Sequence, residues 1–95
     1  MDRELELQVA RRLRTGDPGA FDVVHDAFNT RLYNFLARLS GRRDVAEDLL
    51  EETWLRLVTH AGRLRPDTRL GAWLVTVARH LHRCNCGSRV FEGTT

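Results

Sequence analysis

The stretch FDVVHDAFNTRLYNFLARL, residues 21–39, decides the fold. Phe21, Val24, Phe28, Leu32, Phe35 and Leu39 recur at steps of three or four. At ~100° per residue this spacing confines all six to one arc of an α-helix. An apolar arc of that length needs neighbours to cover it, so the segment is read as the central helix of a bundle. Asp17 and Pro18 suit its N-cap and first helical position, and Gly41 suits its end.

Outward from this helix the chain repeats the pattern. Residues 3–14 place Leu5, Val9 and Leu13 on one stripe and end at the Thr15-Gly16-Asp17-Pro18 break. A third helix begins near Asp44, where acids meet the positive end of the helix dipole, and its inward stripe is Ala46, Leu49, Leu50, Thr53, Leu57 and Ala61. Pro66 makes the segment 63–68 a loop, and Thr68 or Asp67 is the expected cap of the helix that follows. That fourth helix buries Leu70, Trp73, Leu74, Val77, Ala78 and Leu81 and should fray around Cys86-Gly87-Ser88. The expected fold is all-α, a compact bundle of four helices over residues 1–88, with 89–95 as a flexible C-terminal tail.

Ninety-five residues suit one domain and leave little room for an elaborate active site. No apolar run approaches the roughly 18–20 residues of a membrane span, and the start MDRELELQ is charged where a signal peptide would be apolar, so a cytoplasmic location is expected. Cys84 and Cys86, one residue apart, make a poor disulfide framework. The net charge of +2 hides an asymmetry: residues 1–62 hold nine Arg against eleven acids, and residues 63–95 hold six Arg against two. Two partners of opposite character fit such a split, as does plain solvated surface charge.

Two faces carry the functional expectation. The outward arc of the third helix holds Asp44, Glu47, Asp48 and Glu51 around Leu55, with Trp54 and Val58 at its margin. Acids ringing an exposed apolar centre resemble a protein-binding epitope, in which the apolar part supplies affinity and the charges select a basic partner. The outward arc of the fourth helix holds Arg69, Thr76, Arg79 and Arg83 with His80 at its edge, just after the Arg63 and Arg65 loop. Guanidinium groups pair with phosphates and stack on bases, so this arginine row is a candidate nucleic-acid track. All fifteen basic residues are Arg, a choice that coding bias alone could produce.

Catalysis and cofactors are not expected. The acids of 44–52 lack a nearby histidine base, nucleophile or glycine-rich phosphate loop. His80, His82, Cys84 and Cys86 are ligand types that zinc accepts, but alternate residues on a helix diverge by about 200°. Only the pairs His80 with Cys84 and His82 with Cys86 could each share a metal. Trp73, a candidate base-stacking wedge, shares an arc with Leu70 and Val77 and is read as core.

The run from Gly16 to Arg83 resembles the second conserved domain of extracytoplasmic-function (ECF) sigma factors. The matching pieces are GDPGAF (16–21), RLYNFLARL (31–39), DVAEDLLEETWLRL (44–57), RLRPDTRLGAWL (63–74) and VARHL (77–81). The resemblance implies a helical domain that holds the clamp coiled coil of the RNA polymerase largest subunit and reads and melts the promoter −10 element, above all on the non-template strand. It places Glu47, Asp48, Glu51, Leu55 and Val58 against the clamp. It places Arg63, Arg65, Arg69, Thr76, Arg79, His80 and Arg83 against promoter DNA, where an unpaired base is captured by loop and helix without nucleotide hydrolysis.

Glu51 stands where the family often has glutamine, and His80 where asparagine usually follows Ala-Arg. An anti-sigma factor is a further implied partner. Family members carry a second promoter-reading domain that is not expected within these residues, so the chain is an excised domain or a single-domain relative. Two alternatives stay open: a helical interaction module that binds the clamp or an anti-sigma partner without melting DNA, and a metal- or redox-responsive regulator using the His80–Cys86 cluster.

Overall fold

A computed structural model describes the backbone of residues 2–93 and the side chains of residues 2–84. Four helices run in chain order: α1 Arg3–Arg14, α2 Pro18–Ser40, α3 Arg43–His60 and α4 Leu70–Gly93, with a single 3-10 turn at Ala61–Arg63. There is no strand among the described residues. The all-helical bundle is therefore as the periodicity implies.

Local chemistry explains most of the helix ends. The Asp2 carboxylate accepts the Leu5 N–H at 2.8 Å and starts α1. Asp17 accepts the Gly19 N–H at 2.9 Å, and Pro18, whose missing N–H costs nothing there, opens α2. Gly41, at φ 71°, takes the left-handed conformation that closes α2, its N–H bonded to the Ala37 carbonyl at 2.9 Å. Beyond Leu81, α4 continues through Cys86-Gly87-Ser88 to Gly93, so the backbone does not break where fraying was expected. An isolated glycine inside a helix costs about 1 kcal/mol relative to alanine and does not by itself end the helix.

Helix α2 is the hub, packing against each of the other three helices, while α3 also packs on α4. Its fully covered row is Ala20, Val24, Phe28, Leu32 and Leu36. This differs from the arc drawn through Phe21, Phe35 and Leu39: the two phenylalanines are half-buried at the edges, and Leu39 is 40% exposed. Each step of four residues advances about 400°, so the buried ridge drifts around the helix and Leu36, not Leu39, continues it. Where α4 crosses this ridge the approach is close, since a Cβ on Gly71 would lie 3.1 Å from the Phe28 ring.

Three further phases differ from expectation. Leu5 is exposed on α1, and Leu50 and Ala61 are only partly covered. Trp54, expected at the outer margin of α3, is buried. On α4 the sealed positions are Leu70, Leu74, Ala78 and Leu81, whereas Trp73 and Val77 are half-buried against the core edge. Each fully buried Leu contributes roughly 1.5–3 kcal/mol through removal from water, so this shared interior holds the helices in place. Among the described residues no helix is long and apolar enough to cross a membrane.

Candidate functional site

The acid-and-leucine face of α3 points outward as its helical phase requires. Leu55 is 54% exposed and Val58 57%, and Glu47, Asp48 and Glu51 are exposed beside them. Among the described residues no basic side chain makes an ion pair with Asp48 or Glu51, whereas Glu47 acts electrostatically on Arg43; the ion pairs on this helix are Asp44 with Arg42 at 3.0 Å and Glu52 with Arg56 at 3.6 Å. The charge of Asp48 and Glu51 is therefore available to a partner.

Leu55 and Val58 do not stand alone. They form one wall of a groove of about 380 Å³ whose other wall is Phe21, His25 and Asn29 of α2. A second hollow of about 300 Å³ shares Phe21 and Val58 and continues to Leu13, Pro18 and Ala61. Trp54 forms the floor. Its ring meets Phe21 edge-on at 5.8 Å and lies 4.8 Å from His25, and its Nε1 donates to the Asn29 Oδ1 at 3.0 Å. The α2 wall was missed because a helical wheel drawn for α3 says nothing about what lies across from it. The signal available was the polar pair His25 and Asn29, four residues apart on an otherwise apolar side of α2.

The arginine face is built differently. Arg63 ends the 3-10 turn, and Arg65 and Arg69 lie exposed in the connection to α4, with Arg65 3.5 Å from Asp67 in an open ion pair. The connection itself is held from within and from α1. Leu64 is buried, and Arg3 donates to the carbonyls of Asp67 at 2.6 Å and Thr68 at 3.4 Å. Glu6, itself paired with Arg3, accepts the Leu70 N–H at 3.1 Å. The start of α4 is thus capped by Glu6 from another helix, where Thr68 or Asp67 was expected. A carboxylate there also meets the positive end of the α4 dipole.

Thr76, Arg79, His80 and Arg83 are all exposed on α4, but they do not make one row. Arg79 leans toward α2, its guanidinium 5.9 Å from the centre of the Phe35 ring. Thr76 and His80 face the other way, into a groove of about 320 Å³ shared with Arg56, His60 and Trp73. Thr76 spends its hydroxyl proton on the Ala72 carbonyl at 2.8 Å. Trp73 therefore packs against the core and lines this groove with the same ring. Among the described residues neither Arg79 nor Arg83 takes part in an ion pair.

Of the four metal-type side chains, His80 and Cys84 approach each other, with Nε2 to Sγ at 3.5 Å. The Cys86 side chain lies outside the described residues. Among the described residues no three groups of His, Cys, Asp or Glu are placed to hold a metal.

The Sigma-70 region 2 family matches residues 24–83, which hold both faces except the Phe21 end of the groove. The chain belongs to this family. Within it, the sigma region 2 chain is similar to ECF sigma factors. It is 34% identical over 76 residues to the ECF RNA polymerase sigma factor BldN of Streptomyces coelicolor, covering 79% of this chain and 29% of that protein. It is 38% identical over 72 residues to the RNA polymerase sigma factor CarQ of Myxococcus xanthus, covering 76% of this chain and 41% of that protein. The ECF RNA polymerase sigma factor EcfG of Rhodopseudomonas palustris is 40% identical over 55 residues, 58% of this chain and 30% of that one. The matches thus span well under half the length of these relatives. No solved structure matches the sequence significantly.

Proposed function

We propose that this sigma region 2 domain acts in transcription initiation by docking on RNA polymerase core and capturing the unpaired non-template strand of the promoter −10 element. The polymerase side is the α2/α3 groove, where the clamp coiled coil of the largest subunit lies along Leu55 and Val58 and sets basic side chains against Glu47, Asp48 and Glu51. The DNA side is the 63–69 connection with the exposed residues of α4. Arg63, Arg65, Arg69, Arg79 and Arg83 meet phosphates, and Thr76 and His80 border the groove that receives a base.

One observation carries this reading: two apolar side chains more than half exposed, Leu55 and Val58, rim a groove beside the exposed acids Glu47 and Glu51. Burying them offers affinity, and the acids offer selection for a basic partner. Melting needs no hydrolysis, because a base that leaves the stack costs a few kcal/mol and stacking with phosphate contacts offsets it. An anti-sigma factor would compete for the same groove.

The test is association of the chain with a purified clamp coiled-coil fragment, followed by binding of a single-stranded −10 oligonucleotide to the chain joined to core polymerase. Asp48→Arg is expected to abolish clamp association with helicity intact. Unchanged affinity in that variant would remove the clamp assignment, and an oligonucleotide ignored by the polymerase complex would remove the promoter-capture role.

A further inference from the structure

Two exposed side chains of α4 meet where the core gives them no reason to. His80 and Cys84 stand four residues apart, with Nε2 3.5 Å from Sγ. Neither belongs to the buried interior, so packing does not account for the contact. His82 departs from each of them by about 200° around the helix and lies on another side of it. The pair is therefore a convergence of one imidazole and one thiol on a rigid turn, which needs no further ordering of the chain to form.

The separation has a chemical meaning. Zinc binds imidazole nitrogen at about 2.0–2.1 Å and thiolate sulfur at about 2.3 Å, and a tetrahedral angle between two such bonds sets nitrogen and sulfur about 3.5 Å apart. The same spacing suits an S–H···N hydrogen bond, so a metal ion would take the place of the shared proton. Sγ gives up its proton to solvent, Nε2 contributes its lone pair, and the ion bonds to both.

The surroundings select among ions. Arg79 and Arg83 adjoin the pair in sequence, and residues 68–84 contain no aspartate or glutamate. A hard cation such as magnesium or calcium depends on carboxylate and carbonyl oxygens, and here it meets positive charge instead. A borderline-soft ion, bonded through sulfur and nitrogen, is the class that these donors hold.

We infer that His80 and Cys84 form a two-ligand site for a divalent cation of the zinc class. Among the described residues no third His, Cys, Asp or Glu completes the set, so the ion keeps open positions for water. Binding exchanges the thiol proton for a doubly charged ion and makes this end of α4 more positive. The site stands whether or not the promoter reading does, although His80 belongs to both.

The experiment titrates the full chain, metal-free and kept reduced with a phosphine, with Co2+ as the spectroscopic stand-in for zinc. The wild type is compared with Cys84→Ser, His80→Ala, His82→Ala and Cys86→Ser, each checked for unchanged helicity by circular dichroism. The wild type should develop thiolate-to-cobalt charge-transfer absorption, which added Zn2+ removes by displacement. That absorption should be lost in Cys84→Ser and in His80→Ala and kept in His82→Ala and Cys86→Ser.

No charge-transfer absorption in the wild type would overturn the site. Its survival in Cys84→Ser or His80→Ala would do the same, since the metal would then rest on other donors. Its loss in Cys86→Ser or His82→Ala would also overturn the assignment, because a larger ligand set would be needed than the pair proposed.

Discussion

The Glu6 carboxylate on α1 accepts the backbone N–H of Leu70 at 3.1 Å, joining the first turn of the chain to the first turn of α4. Its neighbour Arg3 holds the two preceding carbonyls, of Asp67 and Thr68. The loop around Pro66 is thereby held at the point where the arginine-bearing connection enters the helix. α1, which carries none of the proposed contact residues, positions those that do.

Glu6→Ala should lower the free energy of unfolding by about 1–2 kcal/mol, the usual range for a lost helix cap. Urea denaturation measures this, and hydrogen exchange at the Leu70 amide should quicken specifically. Glu6→Gln, which keeps an acceptor oxygen, should lose less. Equal exchange at Leu70 in wild type and Glu6→Ala would show that the contact does not hold the loop.

Leu55 and Leu57 are two residues apart and face opposite ways, the first 54% exposed and the second fully buried. Leu57→Ala should destabilise the fold by about 2–5 kcal/mol, since it leaves a cavity in the interior. Leu55→Ala should stay within about 0.5 kcal/mol of wild type in stability. Its effect should appear instead as weaker binding of the clamp fragment, roughly tenfold or more, as expected of an apolar interface centre. A Leu55→Ala protein that binds the fragment with wild-type affinity would count against the groove.

Stability should fall in acid through Asp17. The Arg12 guanidinium, donating to Oδ2 at 2.8 Å, and the Gly19 N–H together hold this carboxyl below its ordinary value of 3.8. The folded form therefore resists protonation more than the unfolded chain does. The stabilisation is fully present above the unfolded value of 3.8 and is lost as pH falls through the lower folded value. Thermal midpoints followed across this acid range should drop less steeply for Asp17→Asn than for wild type. Parallel curves would exclude Asp17 as a source of the slope.

Arg79→Ala/Arg83→Ala should weaken binding of a single-stranded promoter oligonucleotide and flatten its salt dependence by about 1.4 in log–log slope, if each residue meets one phosphate. Arg79→Ala alone should have the larger effect on affinity, because it also removes the guanidinium that lies 5.9 Å from the centre of the Phe35 ring. Titrations at several salt concentrations separate the two contributions. A slope identical to wild type would place both residues outside the DNA contact.

The amino-acid sequence by itself determined where the first two helices and the third begin or end, and it determined that Leu55 and Val58 face outward while the arginines of α4 stay exposed. Those features follow from short-range rules: Asp17 and Pro18 satisfy or dispense with N–H groups a few residues away, Gly41 tolerates a left-handed turn, and a period of 3.6 separates Leu55 from Leu57. Only the tertiary structure decided that Leu36 rather than Leu39 seals α2, that Trp54 is covered by Phe21 and His25, and that Glu6 caps α4. The physical reason is that each of these depends on a neighbour supplied by another helix, and helical periodicity describes a side chain's direction without saying what stands opposite it.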